Sequence, residues 1–287
     1  MLQQLIKNLA SLAALDTTPV TQRLDRMFRL DGRTAFVSGA AGHLGQAMVR
    51  GFLGAGARVI INGRNTQRLD TLRAKLRQEN YDPDAVAVCA FDMRDEEALA
   101  RCLATLPRLD VLVNNAITVE MGTIASATPD QFATAYDSGV RAPFAAMRIA
   151  EPALAKAVNA TGHAAVVNIA SMYGTVSPDP SIYGDTGLNS PPHYGPAKAA
   201  LLQLTRYMAC HWGQKGIRVN AIAPGPFPRE EFQREHPAFV QRLSAKNPLG
   251  RIGHASEIAG AAVFLASDAA SYVTGAVIPV DGGWTAW

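Results

Sequence analysis

Short apolar runs punctuate the chain at 34–37, 58–61, 85–89, 111–113, 165–169, 219–222 and 276–280. Most are unbroken rather than alternating, the pattern of parallel strands covered on both faces. Helical segments lie between them. This rhythm predicts βαβ units and a doubly wound sheet, an α/β fold with three α/β/α layers. Thr128-Pro-Asp-Gln131 predicts a helix start, with a capping box and proline at the first helical position. Residues 175–193, rich in Pro, Gly, Ser, Asp and Asn, break the rhythm and read as a long irregular loop. Such loops in compact domains are commonly functional.

Ahead of the first strand, residues 1–16 place Leu2, Leu5, Ile6, Leu9, Leu12 and Leu15 on one helical stripe. Lys7 and Asn8 interrupt any signal-peptide core. The polar face carries a single basic residue, which favours a helix packed on the body or on a neighbouring subunit over one lying on a membrane. Residues 17–26 read as a linker, so an amphipathic extension (1–26) precedes one main domain (27–287).

Composition narrows the function. A 287-residue chain that is 48% hydrophobic and 18% charged builds a sizeable core. Its formal net charge of +3 is too mild to imply nucleic acid or an anionic membrane, and no apolar run is long enough to span a bilayer. Cys89, Cys102 and Cys210 show no metal-ligand spacing and no even disulfide framework. A cytoplasmic protein with reduced thiols and no metal is the simplest expectation.

Candidate chemistry starts at Ser38-Gly-Ala-Ala-Gly-His-Leu-Gly45, which follows the first strand and opens a helix. Glycines at 39, 42 and 45 let the backbone turn tightly against a pyrophosphate, and the helix start offers free N–H groups to the anion. The second strand ends in Asn62-Gly63-Arg64. An NAD site usually carries an acidic residue there for the ribose hydroxyls; a guanidinium pairs instead with a 2′-phosphate, so NADP is favoured over NAD. Further on, the strand-like run at 164–170 ends in Ser171, and Tyr194 and Lys198 stand four apart on one helix face. A hydroxyl, a phenol and an ammonium beside a dinucleotide loop suit hydride transfer to or from a carbonyl or alcohol.

As an ordered set these residues resemble the classical short-chain dehydrogenase/reductase family over residues 28–287. Asp92-Met93, Asn114-Asn115-Ala116, Pro224-Gly225 and the closing Asp281-Gly-Gly283 complete the pattern. The resemblance implies a Rossmann-like domain with a seven-stranded parallel sheet, in a homotetramer or dimer. It implies that Gly39, Gly42, His43, Leu44 and Gly45 hold the pyrophosphate. Asp92 and Met93 would lie by the adenine, Asn115 and Ala116 along the ribose and phosphate path, and Pro224 and Gly225 near the nicotinamide. Ser171 would hydrogen-bond the substrate oxygen. Tyr194 would be the acid or base, and Lys198 would hold the ribose and depress the Tyr194 pKa.

Four positions depart from the family pattern. His43 stands where a glycine is usual, Ile117 replaces the glycine after Asn-Asn-Ala, and Pro226-Phe-Pro-Arg229 lacks the usual threonine. Gly139 stands where the resemblance implies an Asn that holds a water and Lys198 in a proton relay; Ser138 or extra water would have to substitute. The leading expectation is an NADP(H)-dependent carbonyl reductase or alcohol dehydrogenase acting on a ketone or secondary alcohol. The alternative, resting on Gly139, is a dinucleotide-binding regulatory protein with weak or lost turnover. Ser171 and Tyr194 are 23 positions apart, longer than the family's usual spacing. The intervening loop is expected either to form the substrate entrance, with Tyr183, Asp185 or His193 facing the nicotinamide end and a sugar or sugar acid as substrate, or to pack on another subunit.

Overall fold

The computed structural model describes residues 20–184, 186 and 189–287. The stripe expected over residues 1–16 and the loop residue Asp185 lie outside them. A helix α1, Val20–Met27, occupies most of the stretch read as a linker. Its run Gln22-Arg-Leu-Asp-Arg-Met27 contains good helix formers, a signal that the turn-like Thr-Thr-Pro before it obscures.

From there strands and helices alternate: β1 Thr34–Val37, α2 His43–Gly54, β2 Arg58–Gly63, α3 Thr66–Gln78, β3 Val86–Ala90, α4 Glu96–Ala104, β4 Val111–Asn114 and α5 Pro129–Tyr136. A π-helical turn, Asp137–Arg141, joins α5 to α6, Ala142–Thr161. Then come β5 Ala164–Ile169, α7 Tyr194–Trp212, β6 Ile217–Pro224, α8 Glu230–Glu235, α9 Pro237–Lys246, α10 Glu257–Ala266 and β7 Val277–Val280. The expected capping box forms at α5: Thr128 Oγ1 accepts from Gln131 N, and the Gln131 side chain accepts from Thr128 N.

All seven strands pair in parallel, in the order β3-β2-β1-β4-β5-β6-β7. Alternate strand residues serve opposite faces. Ala35, Val37, Val111 and Val113 pack with α2, α3 and α10, whereas Phe36 and Leu112 pack with α4, α6 and α7. Both faces are therefore covered over the central strands, as the unbroken apolar runs require, while the edge strands β3 and β7 are partly exposed. Chain direction across the sheet reverses between β1 and β4, and in such sheets ligands bind at the strand C-termini beside this switch point.

Two features were not expected. Cys89 on β3 and Cys102 on α4 are bonded as a disulfide, with Cα atoms 6.9 Å apart; Cys210 is free and exposed. The βα turn brings two cysteines 13 positions apart together, which their spacing alone does not reveal. Residues 175–193 are also anchored. Arg242 on α9 donates to the carbonyls of Ile182 and Tyr183, Lys246 pairs with Asp179 at 2.6 Å, and Tyr183 stacks on Phe239.

Candidate active site

At the switch point the Gly-rich turn and the end of β4 are tied together. Ser38 Oγ donates to Val113 O and accepts from the backbone N–H groups of Asn115 and Ala116. Asn115 Nδ2 in turn donates to the carbonyls of Ser38 and Gly39. Gly39 has φ +62°, and a Cβ there would approach Asn115 Nδ2 to 2.9 Å. A Cβ on Gly45 would collide with the Gly39 carbonyl. Helix α2 starts at His43 with no side chain capping it from Gly42, so its first N–H groups stay available to an anion.

These residues open onto a cavity of about 450 Å³. Gly39, Gly42, His43, Leu44, Gly45, Arg64, Asp92, Met93, Asn115 and Ala116 all line it, as expected from the sequence. A compact glycine cradle, a helix start and guanidinium groups around one cavity fit a phosphorylated dinucleotide. Arg64 is exposed and sits 3.9 Å from Asp92, which is held mainly by Arg94 at 2.7 Å. The Arg94 hydrogen bond keeps the Asp92 carboxyl below its ordinary range.

Two cations in the cavity wall escaped the sequence reading: Arg68 and Arg229. Arg68 lies in the first turn of α3, four residues after Arg64, and donates to Ala41 O on the Gly-rich turn. Arg229 comes from the segment after β6, far away in sequence.

Ser171, Tyr194, Lys198, Pro224 and Gly225 lie outside this cavity wall. Ser171 follows β5 and is buried, its Oγ accepting from Tyr173 N. Tyr194 opens α7, near enough to Ser171 for the serine hydroxyl to draw its pKa down. Lys198 is buried, donates from Nζ to Ile169 O at 2.6 Å, and places that nitrogen 5.8 Å from the Tyr194 ring centre. The three expected catalytic groups are thus brought together. A buried ladder beneath them fixes α7 against the sheet: Asn114 Nδ2 donates to Asn168 Oδ1, and Asn168 Nδ2 to Thr205 Oγ1. Pro224 ends β6, and Gly225 N donates to Val280 O against Asp281, where a Cβ would come within 2.6 Å of Asp281 Cα.

The electrostatics differ from expectation. Burial pushes the Tyr194 phenol above its ordinary pKa, and only the Ser171 hydrogen bond pulls it down. Burial also lowers the Lys198 ammonium to about 8. Both shifts have one cause: low-dielectric surroundings disfavour each charged form.

Gly139 falls within the π-helical turn, where a Cβ would meet Ile117 Cδ1 at 3.1 Å and Ala197 Cβ at 3.6 Å. Two departures from the family pattern therefore share one space: the Ile117 side chain covers the position that lacks one at 139. Ser138 does not substitute, because its Oγ accepts from Thr118 N and donates to backbone carbonyls on the other side. The contact is apolar, and Lys198 turns to the Ile169 carbonyl instead. Gly139→Asn alone is expected to overpack Ile117 and destabilise the fold by about 1–3 kcal/mol. Combining it with Ile117→Gly is expected to recover part of that loss, visible in thermal unfolding as non-additivity. Additive single effects would contradict the shared-space account.

A second cavity of about 520 Å³ is lined by Tyr173, Thr175, Tyr183, Asn189 and the first turn of α7. Tyr183 is mostly buried, with its hydroxyl 3.5 Å from that of Tyr173. Burial, more than its hydrogen bond to Tyr183, raises the Tyr173 phenol strongly. His193 is buried edge-on against Phe132 and neither ring nitrogen has a hydrogen-bond partner. It lines neither of these two cavities.

Fold and site together define a dinucleotide-dependent enzyme of the Rossmann type. The chain belongs to the short-chain dehydrogenase/reductase family. A family model described as Enoyl-(Acyl carrier protein) reductase matches residues 39–285. The chain is 36% identical to a galactitol 2-dehydrogenase (L-tagatose-forming) of Cereibacter sphaeroides, over 91% of this chain and 98% of that protein. It is 32% identical to a gluconate 5-dehydrogenase of Gluconobacter oxydans, over 90% of this chain and 97% of the relative. Among solved structures, a gluconate 5-dehydrogenase from Burkholderia cenocepacia in complex with NADP and tartrate matches with a TM-score of 0.79 at 30% identity, covering 92% of this chain and 99% of that one. Among the described residues no helix is long and apolar enough to cross a membrane, and no cluster of three His, Cys, Asp or Glu side chains is placed to hold a metal.

Proposed function

We propose that the chain is an NADP(H)-dependent oxidoreductase that interconverts a secondary alcohol and a ketone on a small, hydroxyl-rich substrate. The observation that carries the reading is the grouping of Ser171, Tyr194 and Lys198 where β5 meets α7, in a chain whose glycine turn, Arg64 and Arg68 line one cavity. The galactitol and gluconate dehydrogenases among the relatives support the substrate class. So do the phenols of Tyr173 and Tyr183 and the amide of Asn189 lining the loop-side cavity.

The glycine turn at 39–45 and Arg64 would hold a nicotinamide dinucleotide, which would supply the hydride chemistry. Ser171 Oγ holds the substrate oxygen by a hydrogen bond. In reduction Tyr194 Oη gives that oxygen its proton; in oxidation the same oxygen takes it back. Lys198 holds the nicotinamide ribose by its ammonium and stabilises the phenolate left by proton transfer. A phenol near pKa 10 is otherwise a poor partner at neutral pH. Steady-state assays of NADP⁺ with polyols and sugar acids, and of NADPH with the corresponding ketones, test the reading. Failure of the entire panel would sink it.

A pH dependence follows. The ribose contact needs charged Lys198, whose pKa burial lowers to about 8 in the free protein. Cofactor binding then favours the protonated form, so affinity is expected to fall as pH rises through about 8. Binding above that pH is expected to take up a proton. Calorimetry in buffers of different ionisation heat reads both effects, and a flat profile contradicts the role given to Lys198.

A regulatory protein with weak turnover is the second reading, favoured by the apolar contact between Gly139 and Ile117. Tight NADPH binding with no oxidation across the panel is its signature.

Association into a dimer or tetramer also belongs to this reading. Phe132, Tyr136, Phe144 and Tyr207 leave large apolar surfaces exposed on α5, α6 and α7. A cytoplasmic location belongs to it too, supported by the use of a nicotinamide cofactor; the Cys89–Cys102 bond weighs against it. Light scattering and thiol titration of the native protein decide these two points.

A further inference from the structure

We propose that Arg229 clamps the dinucleotide's pyrophosphate from the side opposite the Gly-rich turn, a cofactor-binding role for a residue of the segment that lacks the family's threonine. The inference rests on the reading that the chain binds a nicotinamide dinucleotide.

Four observations carry it. First, Arg229 lines the same cavity as Gly42, His43 and Leu44, although its segment follows β6. Second, its charge is felt there: after burial, the Arg229 cation is the largest influence lowering the His43 pKa. His43 is the first residue of α2, whose uncapped N–H groups are available to an anion. Third, no hydrogen bond or ion pair among the described residues engages the Arg229 guanidinium, so it is free to take a phosphate in a bidentate pair. Fourth, its backbone is held in place. Pro224, Pro226 and Pro228 restrict the approach, Gly253 N donates to Pro226 O, and Gln233 Nε2 donates to Pro228 O. Phe227 packs against Gly253, where a Cβ would collide with its ring.

The neighbouring carboxylates do not cancel the clamp by occupying the same space. Glu230 and Glu231 raise the His43 pKa, yet neither lines the glycine-rich cavity. Glu230 lines a neighbouring cavity of about 570 Å³ with Tyr81, Gln233 and His254, and His43 stands in the wall between the two. The chain thus divides its charges: Arg229 on the cofactor side, Glu230 on the other. Arg64 and Arg68 stand at the end of β2 and the start of α3, so the two groups of cations address different phosphates of one ligand.

This division gives a test in the full-length protein. Arg229→Ala, Arg229→Lys and Arg64→Asp are compared by calorimetric binding of NADPH, NADH and 2′-AMP. The pyrophosphate is common to NADPH and NADH, whereas 2′-AMP carries only the 2′-phosphate. Loss of a charge-assisted pair predicts that Arg229→Ala raises the Kd of NADPH and NADH alike by about tenfold or more and leaves 2′-AMP unchanged. Arg229→Lys retains part of the affinity, and the deficit of the Ala variant shrinks at high salt because the side chain is exposed. Unchanged Kd values for both dinucleotides overturn the proposal. So does weakening confined to NADPH and 2′-AMP, which would move Arg229 to the 2′-phosphate. Should Arg64→Asp leave the NADPH to NADH ratio unchanged while Arg229→Ala weakens both, the NADP preference fails and the clamp stands.

Discussion

Tyr194→Phe is expected to lower kcat by about 10²–10⁴-fold, the usual contribution of a positioned general acid. NADPH affinity is expected to stay close to that of the wild type, because the phenol's ring remains and only its hydroxyl is lost. The fold should also persist. Tyr194 begins α7, and that helix is anchored elsewhere, through the Asn168–Thr205 hydrogen bond and the buried Leu201, Leu202 and Met208. The phenol sits where burial opposes its ionisation and Ser171 favours it. Removing the Ser171 hydroxyl is therefore expected to reduce turnover as well, and to move the rate-controlling ionisation to higher pH. Rates from stopped-flow mixing, with affinity from quenching of protein fluorescence, separate the two effects. A Tyr194→Phe enzyme that turns over at the wild-type rate would remove the proposed acid.

Arg64→Asp is expected to reverse cofactor choice. It removes a guanidinium at the end of β2 and sets a carboxylate where a 2′-phosphate would lie, next to Asp92. Loss of a charge-assisted hydrogen bond together with the added repulsion suggests about a 100-fold rise in the Kd for NADPH. Affinity for NADH should stay level or improve, since a carboxylate accepts from the ribose hydroxyls. Arg64 is exposed, with 62% of its side chain accessible, so salt weakens the effect. Arg68 remains on the cavity wall in the single variant, and Arg64→Asp with Arg68→Ala is expected to separate the two cofactors further. Titration calorimetry with both dinucleotides gives the ratio directly. A wild-type protein that binds NADH more tightly than NADPH would contradict the assignment before any variant is made.

The parts of the molecule legible in the sequence are those where local pattern and tertiary need coincide. Continuous apolar runs mark the seven strands because both sheet faces are covered, and Thr128-Pro-Asp-Gln131 marks a helix start because capping is local chemistry. The glycines of the 38–45 turn are legible because a backbone this close to Asn115 and to itself admits no side chain. What stayed hidden depends on juxtaposition. Arg229 reaches the glycine-rich cavity from the segment after β6, and Cys89 meets Cys102 only because β3 and α4 are packed together. Ile117 and Gly139 read as two separate departures until the fold puts one against the other. The Tyr194 pKa was expected to fall with Lys198 nearby, but in the folded chain burial acts on both groups and dominates. His193 was one of three loop residues expected toward the nicotinamide end; it packs against Phe132 and lines neither cavity.

The most direct test of hydride transfer at this site uses NADPH carrying deuterium on the transferable position of its nicotinamide. The protein is mixed with a panel of ketoses and keto acids, and the products are examined by mass spectrometry. The account predicts one deuterium on the carbinol carbon of the reduced product, formed by the wild type and slowed by about 10²–10⁴-fold in Tyr194→Phe. Tight NADPH binding with no label transferred to any carbonyl in the panel would contradict it.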